Sequence, residues 1–344
     1  MRNIPLSLLL LLLLFTNCTA QNAKRELYGV GFYNLENLFD TIHDDSKNDY
    51  EFLPEGKYKW GTLKYTNKVR NIATVLNDLG TDVLPMGMAV VGVCEVENSR
   101  VLKDVVRHEI LAPRGWKFIH IEGEDKRGID CALLYNPELF RPSNSRLVPY
   151  TSEDGDTAYK TRGFLVVTGI IAGETVHFIV NHWPSRYAKP MVRERAGVIV
   201  RQLKDSLLAA MPESKVIVMG DMNDDPDDKS INEYLGAVCK KEEVRTPGTL
   251  YTPWLTLLRE KNSGTSVFEE KWNLFDQIML SGNLVGNNSN TLQLYRNEIF
   301  SREYLFEQKG RYKGCIKRTH TGGVWLNGYS DHLPVIVYLA KSKK

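Results

Sequence analysis

Residues 216–228, VIVMGDMNDDPDD, join a short apolar run to a crowd of acidic side chains. The apolar run 216–219 predicts a buried strand, and Gly220 marks its end. Five aspartates and one asparagine fall within the next eight positions. Like charges this close repel one another unless they are solvated, paired or bound to a cation, so the local fold must provide for them.

Two interpretations of this cluster need no catalytic role. A solvated acidic turn is the simpler of the two. A calcium loop of the EF-hand type needs glycine at its sixth position and glutamate at its twelfth. Those positions hold Pro226 and Asn232, and the preceding element is a strand, so the EF-hand interpretation is rejected.

A catalytic interpretation fits the strand end better. Asp221 and Asn223 lie two residues apart, so in an extended segment both side chains face the same way. A carboxylate there can orient or deprotonate a water molecule, and an amide can donate to a phosphoryl oxygen. Oxygen ligands also suit Mg²⁺ or Mn²⁺. We expect the remaining acids to be solvated loop residues, with Pro226 fixing the turn: Asp224, Asp225, Asp227 and Asp228.

The rest of the chain supplies strands of similar character. Helical spacing is seen at 69–79 and 193–208, the second helix being ended by Met211-Pro212. Several strands are adjacent, which predicts two packed sheets with helices outside, within one domain over residues 21–344. Besides 216–219, strands are predicted at 28–34, 89–94, 116–121, 129–135, 164–171, 175–180, 275–280 and 335–339.

Polar side chains lie at the ends of four further apolar runs or within them. A buried charge is costly unless it is paired or bound to a metal, and strand ends converge on one edge of a sheet. Together with Asp221 and Asn223, these side chains predict one shared pocket. They are Glu95, His182, Asp276, Asp331 and His332.

The motifs occur in an order that resembles the endonuclease/exonuclease/phosphatase superfamily. They are Tyr33-Asn34-Leu35, Cys94-Glu95, Asn181-His182, Gly220-Asp221-Met222-Asn223, Phe275-Asp276-Gln277 and Ser330-Asp331-His332-Leu333-Pro334. The context of Asn34 and His182 is most similar to bacterial secreted members described as nucleases. The resemblance implies an α/β fold, a four-layer sandwich with two central mixed β-sheets flanked by helices.

The resemblance also implies a role for each matched residue. Glu95 is similar to the main metal ligand, with Asn34 beside it and Asp331 close to the metal. Among the catalytic residues, Asp221 resembles the one that positions or activates water, and Asn223 the phosphate-orienting amide. The remaining three are His332, which would bind the scissile phosphate, Asp276, which would orient and charge His332, and His182, which would contact the phosphate or assist the leaving oxygen.

Substrate contacts are expected from Arg127, Arg186 and Thr265. Arg193 and Arg195 have two interpretations, a phosphate-facing rim or a solvated basic face of the helix. The sequence leaves that choice open.

The implied reaction is hydrolysis of a phosphate ester with Mg²⁺ or Mn²⁺, and Ca²⁺ stays possible. We expect a monomeric nuclease acting on DNA or RNA. The near-neutral net charge of +2 argues against a large phosphate-gripping surface and keeps a second interpretation open, a phospholipid, sphingomyelin or inositol-phosphate phosphoesterase. A third is a binding module on an inactive scaffold, although none of the expected site residues is missing.

The first 20 residues resemble a secretory signal peptide, with Arg2 before an apolar run and Cys18-Thr19-Ala20 at the cleavage site. Cys18 could instead carry a lipid. The run falls short of the about 20 apolar residues that span a bilayer, and no other segment is a transmembrane candidate. A secreted or periplasmic location follows. Cys94 and Cys131 are expected as buried thiols, whereas pairing of Cys239 with Cys315 stays open.

Overall fold

A computed structural model describes residues 25–152 and 160–343. The predicted signal peptide and Cys18 lie outside the described residues. The strands in chain order are β1 (Arg25–Leu38), β2 (Val90–Val96), β3 (Lys117–His120), β4 (Asp130–Tyr135), β5 (Phe140–Val148), β6 (Phe164–Ile171), β7 (Glu174–His182), β8 (Lys215–Asp221), β9 (Ala237–Val238), β10 (Leu250–Tyr251), β11 (Ser266–Phe268), β12 (Lys271–Asn273), β13 (Asp276–Ser281), β14 (Gln293–Ile299), β15 (His320–Thr321), β16 (Val324–Trp325) and β17 (Val335–Ser342).

The helices are fewer and lie between the strands. The α-helices are α1 (Thr62–Asp78), α2 (Ser99–Arg107), α3 (Pro190–Ala210) and α4 (Leu255–Arg259). One π-helical turn spans Ser230–Leu235. Short 3₁₀ turns span Tyr50–Phe52, Ala112–Arg114, Lys241–Glu243, Gly282–Leu284 and Glu303–Leu305.

Two large mixed sheets form the centre of the molecule. The six-stranded sheet has the order β14-β17-β1-β2-β4-β3, and the seven-stranded sheet has the order β5-β6-β7-β8-β13-β10-β9. Parallel pairs join β1 to β2, β7 to β8 and β9 to β10, and the other pairs in these two sheets are antiparallel. The predicted mixed sheets are therefore confirmed.

Three apolar layers hold the elements together. Alternate residues of each central strand face opposite sides of its sheet. In β1, Phe32 packs between the sheets and Tyr33 packs towards α1 and α2. In β8, Ile217 packs between the sheets and Val218 packs towards α3. The result is the predicted order of helix, sheet, sheet and helix.

The sheets approach closely beneath the polar ends of their strands. A Cβ atom built on Gly92 would lie 2.4 Å from the Met219 sulfur of the facing sheet. Only a glycine fits this contact without a shift of the neighbouring side chain. Gly92 therefore leaves room for the Met219 side chain between β2 and β8, the strands that carry Glu95 and Asp221.

The sequence underestimates several elements. Helix α1 begins seven residues before Val69 in the chain, at Thr62. Helix α2 and the strands β5 and β14 are not predicted. Much of β5 and part of β14 are exposed, so these strands lack the continuous apolar run on which the prediction relied.

Two further findings concern the thiols and the membrane. Cys94 and Cys131 are buried free thiols, as predicted, and Cys239 and Cys315 are free as well. Cys239 and Cys315 therefore do not form a disulfide with each other in this structure. Among the helices of residues 25–152 and 160–343, none has the length and apolar character needed to cross a bilayer.

Candidate active site

The site lies at one edge of the paired sheets, where three strands place polar residues side by side. In the seven-stranded sheet His182 of β7 is in register with Asp221 of β8, and Asp221 is in register with Asp276 of β13. Such register brings residues from distant parts of the chain to neighbouring positions. The sequence predicted these three residues on separate strand ends, and the structure brings them into one row.

Glu95 reaches this row from the other sheet because β2 is bulged. The β2 register shifts between Cys94 and Val96, and Glu95 has a φ of +60°. A bulge of this kind re-aims one side chain without ending the strand. The Glu95 carboxylate lies 3.7 Å from His182 Nε2, and Glu95 Oε2 accepts a hydrogen bond from the Asn37 backbone N–H at 2.8 Å.

Asn34 connects the two carboxylates. Its Nδ2 donates to Glu95 Oε1 at 3.2 Å and to Asp221 Oδ2 at 3.0 Å. Its Oδ1 accepts from the Glu36 N–H at 2.9 Å. In this arrangement Asn34 orients the carboxylates and does not present its oxygen to a cation.

Burial shifts the pKa values of His182 and Asp221 in opposite directions. His182 Nε2 lies 3.7 Å from Asp221 Oδ2. Burial, reinforced by the positive charges of Arg162 and Arg127, lowers the pKa of His182 well below its usual value, so the ring is neutral. Burial raises the pKa of Asp221 to about 7; the positive charge of His332 opposes that rise and the negative charge of Asp276 adds to it.

Asn223 is held by its backbone and by its side chain. Its φ is +51°, a left-handed conformation that asparagine tolerates better than most residues. Its N–H donates to Asp221 Oδ1 at 2.9 Å, and its Nδ2 donates to the Trp183 carbonyl at 3.0 Å. The amide therefore lies at the site in a fixed orientation.

Asp276 and His332 form a buried dyad. Asp276 Oδ2 lies 2.6 Å from His332 Nδ1, and His332 Nε2 lies 3.9 Å from Asp221 Oδ2. Burial by itself would lower the pKa of His332, but the Asp276 and Asp221 carboxylates outweigh it and hold that pKa well above its usual value. His332 is thus a cation at neutral pH.

Asp331 lies at the margin of this group. Its Oδ1 is 4.0 Å from His332 Nε2, and its Oδ2 is 2.6 Å from the Arg318 guanidinium. The side chain of Asp331 is about one-quarter exposed, and it faces a neighbouring small cavity together with Arg318.

Six of the predicted site residues line one cavity of about 390 Å³, whereas Asn34, Asp276, Asp331, Arg186 and Thr265 do not line it. That size is within the range of small-molecule sites. The cavity is lined by Glu95, Arg127, Arg162, His182, Pro184, Ser185, Ala188, Asp221, Asn223 and His332.

The three predicted substrate contacts have different positions. Arg127 lines the cavity with its side chain half exposed. Arg186 instead lies against the acidic loop, 2.8 Å from Asp228 and stacked 4.6 Å from the centre of the Phe275 ring. Thr265 is fully buried, and its Oγ1 accepts from the Asp276 N–H at 3.2 Å. Thr265 supports the dyad from behind.

The acidic loop differs from the sequence expectation. Asp224 and Asp225 are buried and not solvated, with 6% and 7% of their surfaces exposed. Asp224 lies 2.8 Å from Arg193, and Asp225 pairs with Arg186 and accepts from the Leu274 N–H at 2.7 Å. The prediction was wrong for Asp224 and Asp225, because their compensating arginines come from the turn after β7 and from α3. Asp227 is exposed and Asp228 is partly exposed.

The structure does not support a phosphate-facing rim formed by Arg193 and Arg195. Arg193 is buried, and it donates to the Ser185 and Ala188 carbonyls of the segment that lines the cavity. Arg195 is directed to the Thr151 carbonyl. Neither of these arginines lines the cavity.

Sequence reasoning missed Arg162 in the cavity and a charged group of Lys68, Glu36 and Arg318 beside Asp331. Arg162 lines the cavity although only 9% of its surface is exposed. Lys68 is buried 3.8 Å from Glu36, which also lies 3.6 Å from Arg318. Arg162 lies two residues before the predicted strand 164–171, so the expectation for strand ends could have included it.

The donor set fits a hard divalent cation. Glu95 and Asp221 present carboxylates to the same cavity, and oxygen donors suit Mg²⁺ and Mn²⁺. Ligand atoms of Asp221, Asp276 and His332 lie within 4.8 Å of one another, as do those of Cys94, His182 and Asp221. In the first group, Asp276 and His332 already use ligand atoms in the hydrogen bond between them. Burial raises the pKa of the Cys94 thiol well above its usual value, which leaves a poor ligand in the second.

The chain was then compared with known proteins. The model of the Endonuclease/Exonuclease/phosphatase family matches residues 29–341. A comparison with curated protein sequences gives no match.

Solved structures of similar fold come from distant relatives. An endonuclease/exonuclease/phosphatase family protein from Bacteroides thetaiotaomicron is 16% identical, with a TM-score of 0.57 over 93% of this chain and 100% of that one. Danio rerio TDP2, in complex with a single-strand DNA product, is 14% identical, with a TM-score of 0.55 over 91% and 98%. A Bacteroides thetaiotaomicron mannosyl-6-phosphatase is 15% identical, with a TM-score of 0.55 over 91% and 99%.

Proposed function

Because this chain belongs to the endonuclease/exonuclease/phosphatase family, whose members are phosphoric ester hydrolases, we propose that it is a divalent-metal-dependent phosphodiesterase acting on DNA or RNA. The observation that carries the proposal is the convergence of Glu95, Asp221, His182 and His332 on one cavity. Side chains from both sheets contribute to it, so the site depends on the complete fold.

The residues divide the reaction between them. Asp221, held by the Asn34 amide and the Asn223 N–H, orients the attacking water and receives its proton. Burial raises the pKa of Asp221, and a divalent ion beside it would lower that pKa, so the carboxylate would be ionised and able to accept the proton. Water attacks phosphorus and the bond from phosphorus to the ester oxygen breaks. The departing oxygen takes up a proton from solvent water, and the proton received by Asp221 returns to solvent.

The histidines have complementary roles in this scheme. His332, kept protonated by Asp276, binds a non-bridging phosphoryl oxygen and offsets the charge that develops there. His182 is neutral and lies between Glu95 and Asp221, where its ring donates to the phosphate or the leaving oxygen. Glu95, with Asp221 nearby, would hold the divalent ion, which supplies Lewis-acid stabilisation of the phosphoryl group.

The choice of nucleic acid has one structural support. The cavity walls carry two arginines, Arg127 and Arg162, beside the phosphate position defined by His182 and His332. Such cations suit a polyanionic chain. The second candidate, an inositol phosphate or phospholipid headgroup, is favoured by the near-neutral net charge of +2.

A substrate panel tests the proposal. The protein without residues 1–20 is incubated with plasmid DNA, RNA, sphingomyelin and inositol phosphates, each with Mg²⁺, Mn²⁺, Ca²⁺ or EDTA. Cleavage of DNA or RNA that depends on the metal supports the proposal. Release of phosphate or phosphocholine without cleavage of either nucleic acid supports the second candidate and contradicts the first.

The location of the protein is part of the proposal. The N-terminal sequence favours export to a secreted or periplasmic site. Expression of the full chain with a C-terminal tag, followed by fractionation and mass determination, tests export. It also separates cleavage after Ala20 from lipid attachment at Cys18.

A further inference from the structure

Arg162 is a buried cation in the wall of the cavity. Its guanidinium donates to the Trp183 carbonyl at 2.9 Å and to Asp125 Oδ2 at 3.4 Å. Its Nε is buried and has no hydrogen-bond partner among the described residues. Burying a guanidinium is costly unless charge compensates it, so its presence at this wall needs an explanation.

The local charges do not balance. Asp125 Oδ1 lies 3.9 Å from Arg127 Nε, so one carboxylate serves both Arg127 and Arg162. Among the described residues, no other acid lies within ion-pair distance of either arginine. One positive charge in excess therefore faces the cavity on this side.

Other buried cations nearby are compensated differently. Arg193 pairs with Asp224, and Lys68 lies beside Glu36. Arg186 has three aspartates within 3.5 Å. Asp224 also faces Arg186, and Glu36 also faces Arg318, which pairs with Asp331 as well. Each of these groups therefore has at least one acid per cation, whereas Arg127 and Arg162 have Asp125 alone.

Asp125 also fixes the geometry of the pair. Its Oδ1 accepts from the Arg127 N–H at 2.9 Å, and its side chain is buried. Arg127 is thereby anchored through its backbone while its side chain stays half exposed at the mouth. A buried guanidinium with a half-exposed one beside it makes a wall suited to a second anion.

From this arrangement we infer that Arg127 and Arg162 form a subsite for a second anionic group of the substrate, next to the scissile phosphate. The inference rests on the proposed function and specifies its substrate class, a phosphate ester that carries another phosphate nearby. The second phosphate could belong to a nucleic-acid backbone or to a small polyphosphorylated molecule.

Substrate pairs that differ by one phosphate test the subsite. The dinucleotide TpT is compared with pTpT and TpTp, and inositol 1-phosphate is compared with inositol 1,4-bisphosphate. We expect kcat/KM to be roughly tenfold or more higher for the member with the extra phosphate. Preference within the dinucleotides identifies a backbone source, and preference within the inositol phosphates identifies a small molecule.

Variants connect that preference to the two arginines. Arg127→Gln and Arg162→Gln should reduce the ratio of kcat/KM values towards one, and Arg162→Lys should restore part of it. Arg146→Gln, which removes an exposed charge from the edge strand β5, is the matched control and should keep the wild-type ratio. If Arg162→Gln does not fold, the ratio of kcat/KM values measured for Arg127→Gln still tests the subsite, because the Arg127 side chain is half exposed.

A binding measurement separates this inference from the proposed function. Calorimetric titration with thymidine 3′,5′-bisphosphate and thymidine 5′-monophosphate needs no turnover. Tighter binding of the bisphosphate that is lost in Arg127→Gln supports the subsite. The inference is overturned if the two nucleotides bind equally and the kinetic preference is either absent or unchanged in Arg127→Gln and Arg162→Gln. Failure to hydrolyse bis(p-nitrophenyl) phosphate, which has no second anion, would contradict the proposed function alone.

Discussion

Asp276 Oδ2 lies 2.6 Å from His332 Nδ1, and both side chains are buried. This contact fixes the imidazole so that its Nε2 faces Asp221. It also outweighs the effect of burial and keeps the pKa of His332 well above its usual value. The dyad therefore maintains a cation where a phosphoryl group would be bound.

Asp276→Asn should change the pH dependence of hydrolysis. Without the carboxylate the pKa of His332 falls towards the ordinary value of about 6.5, so the ring loses its proton as pH rises through that region. Relative to the wild type, kcat/KM of the variant should decline between about pH 6 and about pH 8. The control is Asp331→Asn, which alters a carboxylate 4.0 Å from the same ring and should shift the profile less. A profile of Asp276→Asn parallel to that of the wild type would refute this role.

Glu95→Gln should remove stabilisation by metal. A ligand that binds only the folded state at 100 times its Kd adds about 2.7 kcal/mol to the free energy of unfolding. Thermal denaturation with and without Mg²⁺ should show this gain for the wild type and little of it for the variant. Glu97→Gln is the matched control, since Glu97 contacts the Asp40 N–H instead. An equal Mg²⁺ effect in both variants would argue against Glu95 as a ligand.

Glu97→Gln should itself stabilise the protein, and more so at higher pH. Burial raises the pKa of Glu97 to about 8, from 4.5 for the ordinary group. Between these values the unfolded chain is ionised while the folded one keeps its proton, so wild-type stability falls as pH rises. The amide has no such penalty. Urea denaturation should give a difference between variant and wild type that grows by about 1–3 kcal/mol from pH 5 to pH 8, whereas a constant difference would show that the carboxyl is not perturbed.

Two substitutions of Asn223 should separate its amide from its backbone. Asn223→Gly keeps the φ of +51° without strain but loses the side chain. Asn223→Ala loses the side chain and also strains the backbone, at a cost of about 1 kcal/mol. Both should reduce kcat by about 10²–10³, the usual effect of losing one such donor. Both also lose the hydrogen bond to the Trp183 carbonyl, so the alanine variant should be less stable in denaturation than the glycine variant. Wild-type turnover in Asn223→Gly would exclude a role for the amide.

Much of the site could be predicted because each residue is fixed to a strand end. The run 89–94 predicts the position of Glu95, and the run 216–219 predicts that of Asp221. Local sequence could not show the bulge that gives Glu95 its φ of +60°, because that conformation depends on pairing with β1 and β4. The sequence thus predicts which residues line the cavity better than it predicts how their side chains are oriented.

The error on the acidic loop arises from partners that are distant in sequence. Asp224 and Asp225 looked solvated because their compensating arginines, Arg186 and Arg193, come from the turn after β7 and from α3. Arg162 lies two residues before β6, so the expectation that strand ends carry site residues could have included it. Helix α2 was overlooked although Asn98 caps it by accepting from the Arg100 and Val101 N–H groups.

The most direct test of the central claim is hydrolysis of bis(p-nitrophenyl) phosphate by the wild type, Asp221→Ala and His332→Ala, each with Mg²⁺ or EDTA. Circular dichroism confirms that the variants are folded. The account predicts turnover by the wild type only with Mg²⁺, and a loss of about 10²–10³ or more in kcat for each folded variant. Turnover by either variant at the wild-type rate, or an undiminished wild-type rate in EDTA, would contradict it.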